Sequence, residues 1–370
     1  MTDWRNVLSG DPTDWLLEPD NPSVRYFTLT DLLDRAATDA EVQEAKAAIM
    51  DSAIVRDITA AQHPDGYWKK KGSGYFPQYR GTVWQLILLA ELGVDGEDEG
   101  VRRGCEQVLA GSLRSNGDFT AFSFWGWKIP SPVPNTCLPG NLIRALLRFG
   151  YDGDRRAAQA TERLAERCRD TEWICLPTKP NPCLWGLVKA LSAFAELPAE
   201  ARSSAVKGAI GEGIELFLSF RFADEGNERT ITDPNWRRFG FPLYYQSDLL
   251  DALGVLTRLG YGEDERLQAL LPLILAKQDE QGRWPLEHDG NWRGQGLVTV
   301  ERVGQPSKWI TLRAVRVLKQ AVAGGTVALS RPHPLAPSPE IGGGGIGHAL
   351  TPWPPLPIPG EGENDKGFPS

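Results

Sequence analysis

The sequence predicts an all-α protein, an (α/α)6 toroid of six helix pairs over residues 1–323, followed by a Pro/Gly-rich disordered tail over 324–370. Three observations carry this. Six strongly apolar segments recur, with starts near Ser23, Arg80, Thr136, Pro182, Leu243 and Ser307, spaced 57, 56, 46, 61 and 64 residues apart. More polar, amphipathic helical stretches separate them, such as those from Ala40, Glu99 and Asp264. Strand patterns are nearly absent; residues 296–303 (GLVTVERV) are the main exception and are expected to form a small hairpin.

The architecture follows from the two helix types. A helix that is apolar on most faces must be covered on most faces. One amphipathic partner cannot do this, so neighbouring pairs must, and six pairs can close into a ring. The stretch from Ala40 to Gln62 reads as one helix, while Pro272 is expected to bend or divide the helix from Asp264. From Gly324 onward the texture changes: the last 47 residues hold 10 prolines and 10 glycines, a composition that opposes packing.

Composition removes some functions. The net charge of −8 makes nucleic acid or an anionic membrane a poor default partner, since both need basic patches. No apolar run reaches the ~20 residues that span a bilayer. The segment MTDWRNVLSG has no basic region leading into an apolar stretch, so no secretory signal is expected. The five cysteines form no Cys-x-x-Cys pair and read as free thiols of a cytoplasmic protein.

Two polar stretches run into a shared pattern, Gln62-His63-Pro64-Asp65-Gly66-Tyr67-Trp68 and Gln278-Asp279-Glu280-Gln281-Gly282-Arg283-Trp284. Both read Gln-x-x-x-Gly-x-Trp, and a worn copy runs from Leu113 to Phe119. Glycine can end a helix in the left-handed conformation, the glutamine amide can bond backbone groups left open there, and tryptophan is a large packing surface with one donor. The pattern resembles the QW repeat of squalene and oxidosqualene cyclases and of prenyltransferase β-subunits, a likeness covering about residues 20–323. It implies the α/α toroid of the terpenoid cyclase and protein prenyltransferase superfamily, in which the motif is structural.

That family's catalytic signatures are missing. Neither Asp-x-Asp-Asp nor Asp-Cys-Thr-Ala-Glu occurs, nor the magnesium motif Asp-Asp-x-x-Asp, nor the Asp-x-Cys of a prenyltransferase zinc site. Of four histidines, His333 and His348 lie in the tail, leaving His63 and His288. No metal or other cofactor is therefore expected, although Cys137, Cys175 and Cys183 can approach one another.

Ten of the 13 tryptophans lie between the end of a polar helix and the first turns of the next apolar one: Trp68, Trp84, Trp125, Trp127, Trp173, Trp185, Trp236, Trp284, Trp292 and Trp309. In a toroid these junctions share one end, which predicts an aromatic mouth over a central cavity for an apolar small molecule; the alternative is a plug of rings that fills the axis. Ligand-binding candidates at helix starts are Arg80, Trp84, Trp127, Cys137, Asn141, Cys183, Trp185, Tyr244, Tyr245, Gln246 and Trp309. Asp248 is the candidate general acid, since burial against Tyr244 and Tyr245 raises a carboxyl pKa; a helix-start carboxylate favoured by the dipole, or a partner of Arg80 or Lys308, is the reading the residues favour over it. Cys137 and Cys183 occupy equivalent places (Asn-Thr-Cys-Leu, Asn-Pro-Cys-Leu) and suit small buried side chains better than nucleophiles. The basic, glycine-rich stretch over residues 68–75 suits a diphosphate group, with a solvated loop the stronger reading. The resemblance implies an isoprenoid-like ligand. Two alternatives are a non-catalytic module binding a peptide or protein, and a carbohydrate-active toroid using Asp233, Asp248 and Glu287.

Overall fold

The computed structural model describes residues 3–121, 135–175, 178–222, 230–231, 233–290 and 295–322. The expected tail over 324–370 lies outside them, as do Trp125, Trp127 and Trp292.

The described chain is all-α apart from one two-residue strand pair. In order it forms α1 (Thr13–Leu16), α2 (Pro22–Phe27) running into a π-helical turn (Thr28–Leu32), α3 (Ala40–Met50), α4 (Ala53–Ala60), α5 (Thr82–Glu91), α6 (Glu99–Gly111), α7 (Cys137–Arg148), α8 (Arg155–Asp170), α9 (Leu184–Phe194), α10 (Ser204–Leu218), α11 (Leu249–Arg258), α12 (Glu265–Gln268), α13 (Leu271–Leu275) and α14 (Lys308–Val322). Among these residues no helix is long and apolar enough to cross a membrane.

Two helix series separate by burial. Every residue from Thr82 to Ala90 of α5 and from Gly186 to Phe194 of α9 is buried. In α6, α8 and α10 a single face is buried. The apolar helices pack in sequence order, α5 on α7, α7 on α9, α9 on α11 and α11 on α14, and α14 returns to α2 and its π-turn. The polar helices flank them: α3 beside α2, α6 beside α5, α8 between α7 and α9, α10 beside α9. Three apolar helices end alike. After α5, α7 and α11 a glycine with positive φ (Gly93, Gly150, Gly260) is followed by a residue whose N–H reaches back five places, Val94 to Leu89 O, Tyr151 to Leu146 O and Tyr261 to Leu256 O. This is the Schellman closure that a Leu-Gly or Phe-Gly ending permits.

Three boundaries depart from the sequence reading and one, at Pro272, follows it. The helix expected from Ala40 divides at Asp51 and Ser52, because the Ser52 hydroxyl caps a new helix at Val55 N. Pro272 does divide its helix, standing in the first turn of α13. The helix expected from Leu243 starts at Leu249, since Tyr244 is left-handed (φ 50°) and Asp248 supplies the cap. The hairpin expected over 296–303 does not form; the strand pair is Trp284–Pro285 with Pro306–Ser307.

The repeated turns are seams. Trp68 is fully buried and its indole N–H donates to Ile58 O at 2.7 Å, while its backbone N–H donates to Thr82 Oγ1 at 3.1 Å. Trp284 repeats both contacts, to Ile274 O at 2.8 Å and Thr311 Oγ1 at 2.9 Å. Each tryptophan thus joins the helix before its turn to the apolar helix after it. Gln62 reaches the next polar helix, donating to Gly100 O at 2.8 Å. Gln278 reaches instead to the N-terminal segment, accepting from Ser9 N at 2.8 Å. The glycines follow suit: a Cβ on Gly66 would lie 2.7 Å from the Arg103 backbone, and one on Gly282 2.0 Å from Gly10 O. Residues near Gly10 therefore abut the last turn as α6 abuts the first.

Trp68→Phe and Trp284→Phe each remove the short indole bond from a carbonyl that keeps only a longer backbone donor, Ala61 N to Ile58 O at 3.2 Å and Lys277 N to Ile274 O at 3.1 Å. Each is expected to lower unfolding free energy by about 1–3 kcal/mol in urea denaturation, whereas a loss under about 0.5 kcal/mol, as at an indifferent surface site, would show that the indole bond is not what ties these turns.

Candidate functional site

The side chains of the apolar helices form two layers, an aromatic one at the helix starts and an ionic one that runs from Asp251 in the first turn of α11 and Lys189 in the middle of α9 to Arg148 and Arg258 in the last turns of α7 and α11. Trp84 and Glu91, seven residues apart on α5, lie about 10 Å apart at 1.5 Å per residue.

The first layer is aromatic. Trp84 stacks on Tyr245 (centroids 4.8 Å, 29° between planes) and meets Tyr244 edge-on at 5.5 Å, Tyr79 at 4.7 Å and Tyr75 at 5.4 Å. The Trp84 indole donates to Tyr75 O at 2.7 Å, and Asn141 donates to Tyr244 O at 3.2 Å. Tyr79 and Tyr244 both hold left-handed backbones (φ 63° and 50°), a conformation that costs a non-glycine residue about 1–3 kcal/mol and persists where surroundings dictate it. Beside these rings Cys137, Cys175 and Cys183 form a buried cluster packed by Trp185 and Tyr245. Hydrogen bonding with Cys183, and then burial, push the Cys175 thiol well above its ordinary range. That environment disfavours a thiolate nucleophile. All five cysteines are free, and among the described residues no group of three or more His, Cys, Asp and Glu could hold a metal. Phe241 stacks on Trp309 at 4.2 Å.

The second layer is ionic, and the sequence reading missed it. Glu196 accepts from Arg144 Nε at 3.2 Å, Arg148 Nε at 2.9 Å and Arg258 at 3.0 Å. Arg144 also binds Glu91. Asp251 lies 2.9 Å from Lys189 Nζ and 2.6 Å from Arg313. Arg316 lies 2.5 Å from Asp31. Burial alone would push Asp251 up, but Lys189 and Arg313 outweigh it and hold the carboxyl well below the usual range. Glu196 behaves likewise, burial being outweighed by its three arginines. Burial pulls Lys189 down, opposed by Asp251. A small cleft bordered by Glu91, Asn141, Arg144 and Arg148 opens beside the network. The signal for this network was present as polar residues recurring at seven-residue spacing along the apolar segments: Asn141 and Arg148, Lys189 and Glu196, Asp251 and Arg258.

The named candidates therefore divide. Trp84, Cys137, Asn141, Cys183, Trp185, Tyr244 and Tyr245 come together in or beside the aromatic layer. Gln246 stands next to it, half-buried, and its backbone N–H donates to Leu243 O. Trp309 is in the separate Phe241 stack, and Trp127 lies outside the described residues. Arg80 is exposed and donates to Gln295 O at 2.9 Å, away from the rings. Trp68 and Trp284 belong to the seams and not to a mouth. Asp248 caps α11: one oxygen accepts from Asp251 N at 2.7 Å and the other from Gly240 N at 2.9 Å. Burial pushes its pKa up, and Arg313, not Arg80 or Lys308, is the cation that opposes this. Lys308 pairs instead with Glu18 (2.7 Å) and Asp20. Asp233 caps a turn at Asn235 N, and Glu287 is paired with Lys277 at 2.6 Å. Lys69, Lys70 and Lys71 are exposed. His63 stacks on Tyr67, and His288 meets Arg238 O at 3.1 Å.

A comparison with protein-family models finds no match to this chain, and a comparison with curated proteins finds none either.

Asp251→Asn would strand Lys189 and Arg313, both largely buried. A loss of about 3–5 kcal/mol of stability at pH 7 is expected. Asp251 has its folded pKa depressed, so its contribution is complete above the unfolded value of about 4 and is lost as pH falls through the lower folded value. The gap between wild type and variant in denaturant titrations should accordingly close below about pH 4; a gap that stays constant with pH would assign the loss to packing.

Proposed function

We propose that the chain is a six-pair α/α toroid of the terpenoid cyclase and prenyltransferase build, and that it binds an apolar, isoprenoid-like molecule at the aromatic end of its interior. The return of α14 onto α2 and the matched Trp68 and Trp284 seams support the closed ring. The single observation that carries the ligand reading is the five-ring cluster of Tyr75, Tyr79, Trp84, Tyr244 and Tyr245. Ring faces offer apolar area with a negative quadrupole, which suits unsaturated hydrocarbon and any positive charge on it. The left-handed backbones of Tyr79 and Tyr244 support the same reading, because such strain concentrates at functional positions.

Binding is favoured over proton transfer. Both Asp248 oxygens already accept backbone hydrogens, and each depressed carboxylate of the ionic layer is neutralised by cations. A second reading, a rigid toroid that docks a peptide or protein on its outside, is favoured by the dense filling of the interior, where rings contact rings and carboxylates contact guanidinium groups.

Incubation with squalene and a polyprenol, followed by native mass spectrometry, should retain one lipid per chain and quench tryptophan fluorescence. Trp84→Ala and Tyr245→Ala should each weaken retention at least tenfold while leaving the helical circular dichroism intact. Absence of any retained lipid, together with a specific protein captured by the immobilised chain, would favour the docking reading instead.

A further inference from the structure

We infer that the Tyr245 hydroxyl gives the aromatic layer a preference for an isoprenoid that ends in one neutral oxygen, a terminal alcohol, and not in a bare hydrocarbon or a diphosphate. This rests on the proposed lipid reading and names the ligand class of that same site. The Tyr245 hydroxyl is buried and has no hydrogen-bond partner, although its ring, stacked on Trp84, is only half-buried. Tyr245 packs against the cluster of Cys137, Cys175 and Cys183, whose thiols are weak acceptors. Tyr75 stands opposite, with ring centroids 5.8 Å apart. Tyr75 is itself buried, and its hydroxyl accepts from Gln78 Nε2 at 3.5 Å, which leaves its own hydrogen to donate.

A buried hydroxyl without a partner has lost the bonds water gave it, and a ligand oxygen beside it restores one that a hydrocarbon cannot. An alcohol oxygen accepts from one phenol and still has a hydrogen to donate. The surroundings set the charge of that oxygen. Burial first pushes both phenols up, Tyr75 to about 12 and Tyr245 well above its ordinary range. The groups that next weigh on them are each other, Gln78, Tyr79 and Cys137, with no lysine or arginine among these. Two neutral phenols are donors without formal charge. A diphosphate brought to them would be buried without a cation, a cost that two phenol bonds do not return. The basic residues nearest in sequence are turned to solvent: Lys69, Lys70 and Lys71 are exposed, and exposed Arg80 donates to Gln295 O. The rings that flank the two hydroxyls run out to the molecular surface at Phe76, 40% exposed and edge-on to Tyr75 at 4.9 Å.

The test is tryptophan-fluorescence titration of the full chain with farnesol, farnesene and farnesyl diphosphate, which share one carbon skeleton, with native mass spectrometry to count retained lipid. Farnesol should bind more tightly than the diphosphate. Tyr245→Phe keeps the ring and removes the hydroxyl, so the farnesol-to-farnesene affinity ratio should fall about tenfold from its wild-type value. The ratio compares two ligands on one variant, so a general loosening of the site, which weakens both, does not imitate this result. Melting curves show whether the variant folds; if it does not, Tyr75→Phe reads the same ratio, with a fall of several-fold expected. A ratio that stays at its wild-type value, or a diphosphate that binds more tightly than farnesol, overturns this inference and leaves the lipid reading standing. Binding of none of the three overturns the lipid reading and this inference with it.

Discussion

One carboxylate, Glu196 just beyond α9, gathers three guanidinium groups from two other helices. Much else in the arrangement depends on this kind of contact. A charge taken out of water loses several kcal/mol of solvation, which only close, well-directed partners return. Those partners must come from neighbouring helices, because residues on one apolar helix point outward from a single axis. Arg144 therefore ties α7 to α5 through Glu91 and to α9 through Glu196, while Asp251 ties α11 to α9 and α14. Hydrophobic packing is tolerant of sliding by a turn. These bonds are not, and they set the register of the apolar helices against one another.

The segregation of apolar and polar helices was legible because it needs only local periodicity. The apolar helices of the described chain begin within two residues of their sequence-read starts, except α11, where Tyr244 and Asp248 delay the first turn. The break at Ser52 was missed because a serine inside an amphipathic run is ambiguous between helix interior and cap. The aromatic layer was half legible. Tryptophan density at helix junctions located it, yet Trp68 and Trp284 face the seams, a choice made by carbonyls ten residues earlier. The ionic layer escaped because polar residues were sought at helix starts. Its seven-residue spacing acquires meaning only when the apolar helices are laid side by side, and the pairings join residues of separate helices, such as Arg144 and Glu91, 53 positions apart, and Lys189 and Asp251, 62 apart.

The N-terminal segment solves a problem that any helical array has, namely that its first and last units present uncovered faces. Gln278 holds Ser9 as Gln62 holds Gly100, so the stretch ending near Gly10 occupies, beside the last repeated turn, the place a polar helix occupies beside the first. Lys308 then pins Glu18 and Asp20 to the start of α14, and Lys319 binds Asp34 (2.5 Å), Asp31 O and Leu32 O near its end. Two lysines eleven residues apart thus fasten the beginning of the chain along the length of its final described helix.

The two layers have opposite chemistries for a reason rooted in the helices themselves. At the last turns, backbone carbonyls without partners favour cations, so arginine and lysine collect there: Arg148, Arg258 and Lys319 lie in the last turns of α7, α11 and α14. At the first turns, unpaired N–H groups favour acceptors such as Asp248 and the Cys183 sulfur, and leave the space between helices to rings. A ligand that met only one layer would be either greasy or anionic. Because Asn141 donates to Tyr244 O from the same helix that carries Arg144 and Arg148, a change at one end can be felt at the other through a single rigid element. That coupling follows from the helix geometry whether or not one molecule ever spans both ends.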